Sequence, residues 1–110
     1  MNDLSQKRCK PCEGGVAPIE RNEAESLLKK LDAGWRLSDD AKSIHREWKF
    51  KNFYHTMSFV NAVAHIANTE DHHPDLEVGY GVCRMKFTTH AIDGLSENDF
   101  ICAAKVDRLA

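Results

Sequence analysis

The stretch 71–90, DHHPDLEVGYGVCRMKFTTH, decides the fold. Proline disfavours helical geometry in the residue before it, so a helix arriving through the preceding residues must be over by His73. Leu76 to Tyr80 then reads as a strand, and Gly79 and Gly81 suit a bend or tight turn. From Val82 to Thr89 the chain alternates: Cys83, Met85 and Phe87 face one way, Arg84, Lys86 and Thr88 the other. That is the period of a half-buried strand. Two strands joined by so short a turn pair antiparallel.

Upstream, the spacing predicts a helix from about Tyr54 to about Asn68, with Met57, Val60, Ala64 and Ala67 as its inner stripe, broadened by Val63. Before it, Ile44, Trp48 and Phe50 alternate with His45, Glu47 and Lys49, which reads as another half-buried strand with Arg46 as the exception on the apolar face. Trp35-Arg36-Leu37 reads as a short strand, turning at Ser38-Asp39-Asp40. A first helix is expected from Asn22, which has Glu25 at capping-box spacing. Ala24, Leu27, Leu28 and Leu31 form its apolar face, and Gly34 its stop. Downstream, Ser96 with Asp99 starts a last helix, with Phe100, Ile101, Ala103, Ala104 and Leu109 on its apolar side. The order is helix, two strands, helix, two strands, helix. The fold class is α+β: a four-stranded antiparallel sheet with three helices packed on one face. Residues 1–18 read as a flexible N-terminal arm, and 19–110 as the domain.

A chain of 110 residues is a single domain's worth, and a domain that small often gains stability by oligomerising. A sheet this short also leaves edge strands that self-association would cover. A net charge of -2 lacks the basic footprint of a nucleic-acid binder. No apolar run approaches the ~20 residues of a membrane span. The first ten residues are polar and charged, unlike a signal peptide, so the cytosol is the expected compartment. In that reducing setting Cys9, Cys12, Cys83 and Cys102 are expected as free thiols. Cys9 and Cys12 form a C-x-x-C. A redox motif wants a strand before and a helix after it, and a zinc site wants a second pair of ligands; neither accompanies it here.

Six histidines stand out in a chain this size. His72 and His73 lie in the loop ahead of the third strand, and His90 follows the fourth, sharing the parity of Lys86 and Thr88. In an antiparallel hairpin the start of one strand lies beside the end of the other, so these three converge at one end of the sheet. Histidine gives and takes protons near neutral pH, and a pair acts as acid and base together. Two other readings accompany this one: solvated loop histidines, and a metal held by the three ring nitrogens, which adjacent side chains on extended backbone do not favour. His45, His55 and His65 lack convergent partners and read as surface residues. Trp48 and Phe53 read as core or subunit contacts.

Taken together, Trp48-Lys49-Phe50-Lys51-Asn52-Phe53, Ala62-Val63-Ala64, Asp71-His72-His73-Pro74, Tyr80, Thr89-His90, Gly94-Leu95-Ser96 and Asp99 resemble the pterin-4a-carbinolamine dehydratases over roughly 34–109. The resemblance implies dehydration of 4a-hydroxytetrahydrobiopterin, or a related pterin, to the quinonoid dihydropterin. It implies no metal or organic cofactor, and a homodimer or homotetramer. It places the catalytic histidines on His72, His73 and His90. The substrate-binding set falls on Asp71, Thr88, Thr89, Ala91 and Asp99. His72 and His90 are expected nearest the proton transfers and His73 in binding. Many members carry a glutamate four residues before the first histidine of the pair; Asn68 stands there, which can hydrogen-bond but is no carboxylate. Some animal members also act as dimerisation cofactors of a homeodomain transcription factor, so a binding module without catalysis is the alternative, and a metal module built on the cysteines and histidines a third.

Overall fold

The glycines at 79 and 81 turn the chain back on itself as their spacing predicts, with the N–H of Gly79 donating to the carbonyl of Val82 at 2.9 Å. On either side, β3 (Asp75–Val78) and β4 (Val82–Phe87) pair antiparallel, Asp75 opposite Lys86 and Val78 opposite Cys83. In this computed structural model, which describes residues 3–11 and 17–109, the hairpin extends into a four-stranded sheet. β2 (Ile44–Lys49) joins β4 antiparallel and β1 (Arg36–Leu37) joins β2, giving the order β1-β2-β4-β3. The helices are α1 (Arg21–Leu28), α2 (Phe53–Glu70) and α3 (Glu97–Asp107).

Alternation along β2 and β4 separates the two faces of the sheet. Ile44, Trp48, Cys83, Met85 and Phe87 are buried, and His45, Glu47, Lys49, Arg84 and Lys86 are exposed. The buried set packs against Ala24, Phe59, Val63, Phe100 and Ile101 of the helices, so all three helices contribute to one core. Phe59 sits between Trp48 and Phe50, with ring centroids 4.8 and 5.2 Å away. Arg46 shares the apolar parity, as expected of the exception in β2. Its guanidinium lies 4.7 Å over the Trp48 ring and pairs with Asp107 at 2.8 Å. Burial pushes the Asp107 carboxyl above its ordinary range, against the N–H groups of Asp32 and Trp35 and the charge of Arg46.

Several expectations need correction. Helix α1 starts at Arg21, because Ala24 N already donates to Glu20 O, and it ends at Leu28 rather than running to Gly34. Asn22 does not cap it; its Oδ1 accepts from the adjacent Glu23 N. Helix α2 buries Thr56, Phe59, Val63 and Ala67, while Met57 and Val60 are half-buried and Ala64 is exposed. A buried Thr56 is tolerated because its hydroxyl reaches the carbonyls of Asn52 and Tyr80, at 2.9 and 2.8 Å. Strand β3 stops at Val78, leaving Tyr80 71% exposed. Leu109 is exposed, and Cys102 and Val106 take its place in the core.

The reading of 1–18 as a free arm fails over 3–11. Asp3–Gln6 form a 3-10 helix, Leu4 is 2% exposed within the core, and Lys105 Nζ donates to Ser5 O at 3.0 Å. A single leucine is too short a signal for periodicity to detect. Cys12, half of the C-x-x-C, lies outside the described residues.

Candidate active site

Helix α2 begins cleanly. Asn52 is its N-cap, in extended conformation, and its Oδ1 accepts from His55 N at 3.0 Å. It ends at Asp71, which takes the left-handed conformation (φ 53°, ψ 43°) that stops helices; the N–H groups of Asp71 and His72 both reach back to Ala67 O. This reversal sends the adjacent histidines different ways. His72 is largely buried, its ring stacked parallel to Phe87 at 6.1 Å, and His73 is exposed with Nε2 3.1 Å from Asn68 Oδ1.

Strand β4 ends at Phe87, two residues earlier than the alternation predicts. The chain then closes a small loop by an isolated bridge between Thr89 and Gly94. A Cβ at Gly94 would lie 2.7 Å from the Pro18 side chain, so the loop packs tightly there. Within it His90–Ile92 form a 3-10 turn, and Asp93 reverses the chain at φ 51°. His90 is therefore presented from a turn rather than from the polar face of a strand, and its side is exposed.

His72, His73 and His90 line one cavity of about 560 Å³. Asp71, Thr88, Thr89 and Ala91 line it as well, so the predicted residues converge with one exception. Asp99 does not reach the cavity: it is fully buried. Its Oδ1 lies 2.6 Å from His72 Nε2, while Oδ2 accepts from Thr89 Oγ1 at 2.8 Å and from Ser96 N at 3.0 Å. Asp99 is thus the reciprocal partner of Ser96 in the capping box of α3 and, at once, the support of His72. An ionised carboxylate offers only acceptors, so opposite one His72 Nε2 is the donor, and a neutral imidazole then has its lone pair on Nδ1. Thr89 is 4% exposed and spends its hydroxyl proton on Asp99; Thr88 Oγ1 donates to Lys42 O. Both threonine hydroxyls thus serve the protein before any ligand.

Sequence reasoning missed Cys9, Lys10, Pro11, Glu70 and Asn98, which also line the cavity. Cys9 belongs to the C-x-x-C, a motif that points to redox or zinc chemistry rather than to this cavity; none of the other four lies in a pattern of period or motif that marks it. Glu70 is the most constrained. Burial would raise its carboxyl, but the N–H of Cys9 and the charges of Lys105 and Arg8 outweigh it and hold Glu70 below its ordinary value. A second groove, about 490 Å³, lies on the open face of the sheet between paired charges such as Arg84 and Glu47. It contains His45 alone among histidines, so the cavity with the supported imidazole is the chemically equipped one. Among the described residues no group of three or more His, Cys, Asp or Glu side chains is arranged to hold a metal ion, and no helix is long and apolar enough to cross a membrane.

Comparison with known proteins bears on the family and the fold. The sequence profile described as "Pterin 4 alpha carbinolamine dehydratase" matches residues 17–109. A protein of Nitrosomonas eutropha named "Putative pterin-4-alpha-carbinolamine dehydratase" is 63% identical over 107 residues, covering 97% of this chain and 93% of that one. The crystal structure of a transcriptional coactivator/pterin dehydratase from Brucella melitensis superposes with a TM-score of 0.80 at 31% identity, over 84% of this chain and 98% of that one. A pterin dehydratase-like protein, described as a RuBisCO assembly factor in the alpha-carboxysome, shares the fold with a TM-score of 0.63 at 22% identity, over 72% of this chain and 92% of that one.

Proposed function

Because the chain belongs to the pterin 4 alpha carbinolamine dehydratase family, we propose that it eliminates water from a 4a-hydroxytetrahydropterin to give the quinonoid dihydropterin. The observation that carries this reading is the buried Asp99–His72 pair, 2.6 Å apart, backing the cavity that His73 and His90 also line. The reaction breaks the bond between C4a and its hydroxyl oxygen and forms a double bond from C4a to N5. His90, in its protonated form, gives a proton to the departing hydroxyl, which leaves as water. His72 Nδ1 takes the proton from N5, and the resulting imidazolium is balanced by the carboxylate at Nε2. Solvent then returns the proton from His72 to His90. His73, held by Asn68, binds the polar edge of the pterin, with Asp71 and the backbone at Ala91 beside it.

Recycling the pterin cofactor of an aromatic amino-acid hydroxylase, in the cytosol and as a homodimer or homotetramer, completes this reading. A binding module without catalysis, the other role some relatives' names suggest, has no use for an imidazole backed by a buried carboxylate in a cavity wall. The test is stopped-flow dehydration of chemically generated 4a-hydroxytetrahydropterin, run in the presence of a chelator. Acceleration over the uncatalysed rate supports the reading. A folded protein that gives none sinks it, and restoration by zinc sinks its metal-free form.

A further inference from the structure

One wall of the histidine cavity comes from the N-terminal segment, and the dehydration chemistry does not account for how firmly that wall is held. Cys9, Lys10 and Pro11 line the cavity together with the histidines. Asn98, 7% exposed, grips Lys10 by both its backbone groups: Lys10 N donates to Asn98 Oδ1 at 3.0 Å, and Asn98 Nδ2 donates to Lys10 O at 2.6 Å. Glu70, with its side chain 4% exposed, accepts from Cys9 N at 2.8 Å and pairs with Arg8 at 3.0 Å. Cys9 Sγ rests against Cys102 Sγ at 3.5 Å.

These two anchors have telling neighbours. Glu70 immediately precedes Asp71-His72, and Asn98 immediately precedes Asp99. The turns that set the position of His72 and its carboxylate therefore also set the position of the wall. Burying an amide and a carboxylate is costly unless their hydrogen bonds are made, and here they are made to a segment that Leu4 already ties to the core. Leu4 and the bond of Lys105 to Ser5 fasten the start of the segment, and the bonds from Glu70 and Asn98 fix Cys9 and Lys10 beside the histidines.

We propose that Cys9–Pro11 is the specificity wall of the pterin site, receiving the substituent on C6, with Asn98 and Glu70 as its positioning residues. This rests on the dehydratase reading. In a pterin the reacting C4a and N5 are followed directly by C6, so a substituent there leaves the ring one bond beyond the proton transfer. With N5 at His72, that substituent runs along the neighbouring lining. A wall fixed at two successive backbone positions, ending in the Pro11 ring, suits a short hydroxylated chain and limits its length.

The experiment compares two substrates, 4a-hydroxytetrahydrobiopterin with its dihydroxypropyl group and the 6-methyl analogue. They are tested on the wild-type full chain, Asn98→Ala and Pro11→Gly. The expected result is a KM for the biopterin form raised about fivefold in the variants, with kcat and the KM for the methyl analogue changed less than about twofold. Pro11 is exposed, so Pro11→Gly keeps the test open if Asn98→Ala fails to fold. Equal changes with both substrates, or none with either, in a folded variant overturn the wall while leaving the dehydratase reading intact. A wild-type chain inactive on both substrates overturns that reading and the wall with it.

Discussion

Replacing Asp99 with asparagine changes one atom and leaves no hole. The carboxylate accepts two bonds on its Oδ2 side, from Thr89 Oγ1 and Ser96 N, and one on its Oδ1 side, from His72 Nε2. An amide keeps the larger number of bonds by turning its oxygen toward Thr89 and Ser96 and its NH2 toward the ring. Nε2 must then accept, so the ring proton moves to Nδ1 and the lone pair that would take the N5 proton is gone. The variant also loses the negative charge that balances the imidazolium. A positioned base contributes on the order of 10²–10⁴ in rate. We expect Asp99→Asn to lower kcat at least about a hundredfold, or about 2.7 kcal/mol in the barrier. The 2.6 Å contact is a charge-assisted bond, so a stability loss of about 1–2 kcal/mol should accompany it, visible as a lower Tm. Stopped-flow absorbance gives the rate, circular dichroism the melt, and ¹⁵N NMR of the ring reports the tautomer. If the NMR shows the proton moved to Nδ1 and kcat stays within about threefold of wild type, His72 is not the base. If the proton does not move, the account of Asp99 as the tautomer-setting group is wrong.

The other predictions concern the remaining groups. His72→Ala and His90→Ala should each cost roughly a hundredfold in dehydration rate, whereas His73→Ala should act mainly on KM and His65→Ala on neither, as steady-state kinetics will show. Glu70 is held below its usual pKa of 4.5, so its contribution to stability is complete above that value and is lost as pH falls through its lowered folded value. Denaturant melts across this acid range should show a slope in the wild type that Glu70→Gln reduces; an unchanged slope counts against the anchoring role. Light scattering at micromolar concentration should report a dimer or larger assembly, and a monomer would refute self-association.

Strand β4 is readable because its two faces differ chemically at every residue from Cys83 to Phe87: Cys83, Met85 and Phe87 are buried and Arg84 and Lys86 exposed, as their parity requires, while the alternation overruns the strand's end at Thr88. The convergence of His72, His73 and His90 followed from hairpin geometry, strengthened by the family resemblance. The inner stripe of α2 is legible only in part, because hydropathy selects Met57, Val60 and Ala64 and passes over the buried Thr56. Only the carbonyls of Asn52 and Tyr80 make the buried threonine tolerable, and those partners are set by the fold. The resemblance places Asp99 among substrate contacts because a motif gives a residue's position but not its depth. The wall at 9–11 was invisible for a different reason. Its bonds to Glu70 and Asn98 span 61 and 88 positions, and no local pattern encodes polar contacts over such distances.

Asp99 closes the first turn of α3 and steers His72 with the same two oxygens, so fold and reaction share one side chain. A deep mutational scan of this protein would therefore meet a blind spot there. Substitutions such as Asp99→Ala would lower cellular abundance and turnover together, and subtracting the abundance score from the activity score would file the position under stability. His90, on an exposed turn with no such second duty, would stand out in the same subtraction. The most consequential support of the proposed chemistry would be the one such a screen discards, and only an isosteric change, Asp99→Asn, separates its two duties.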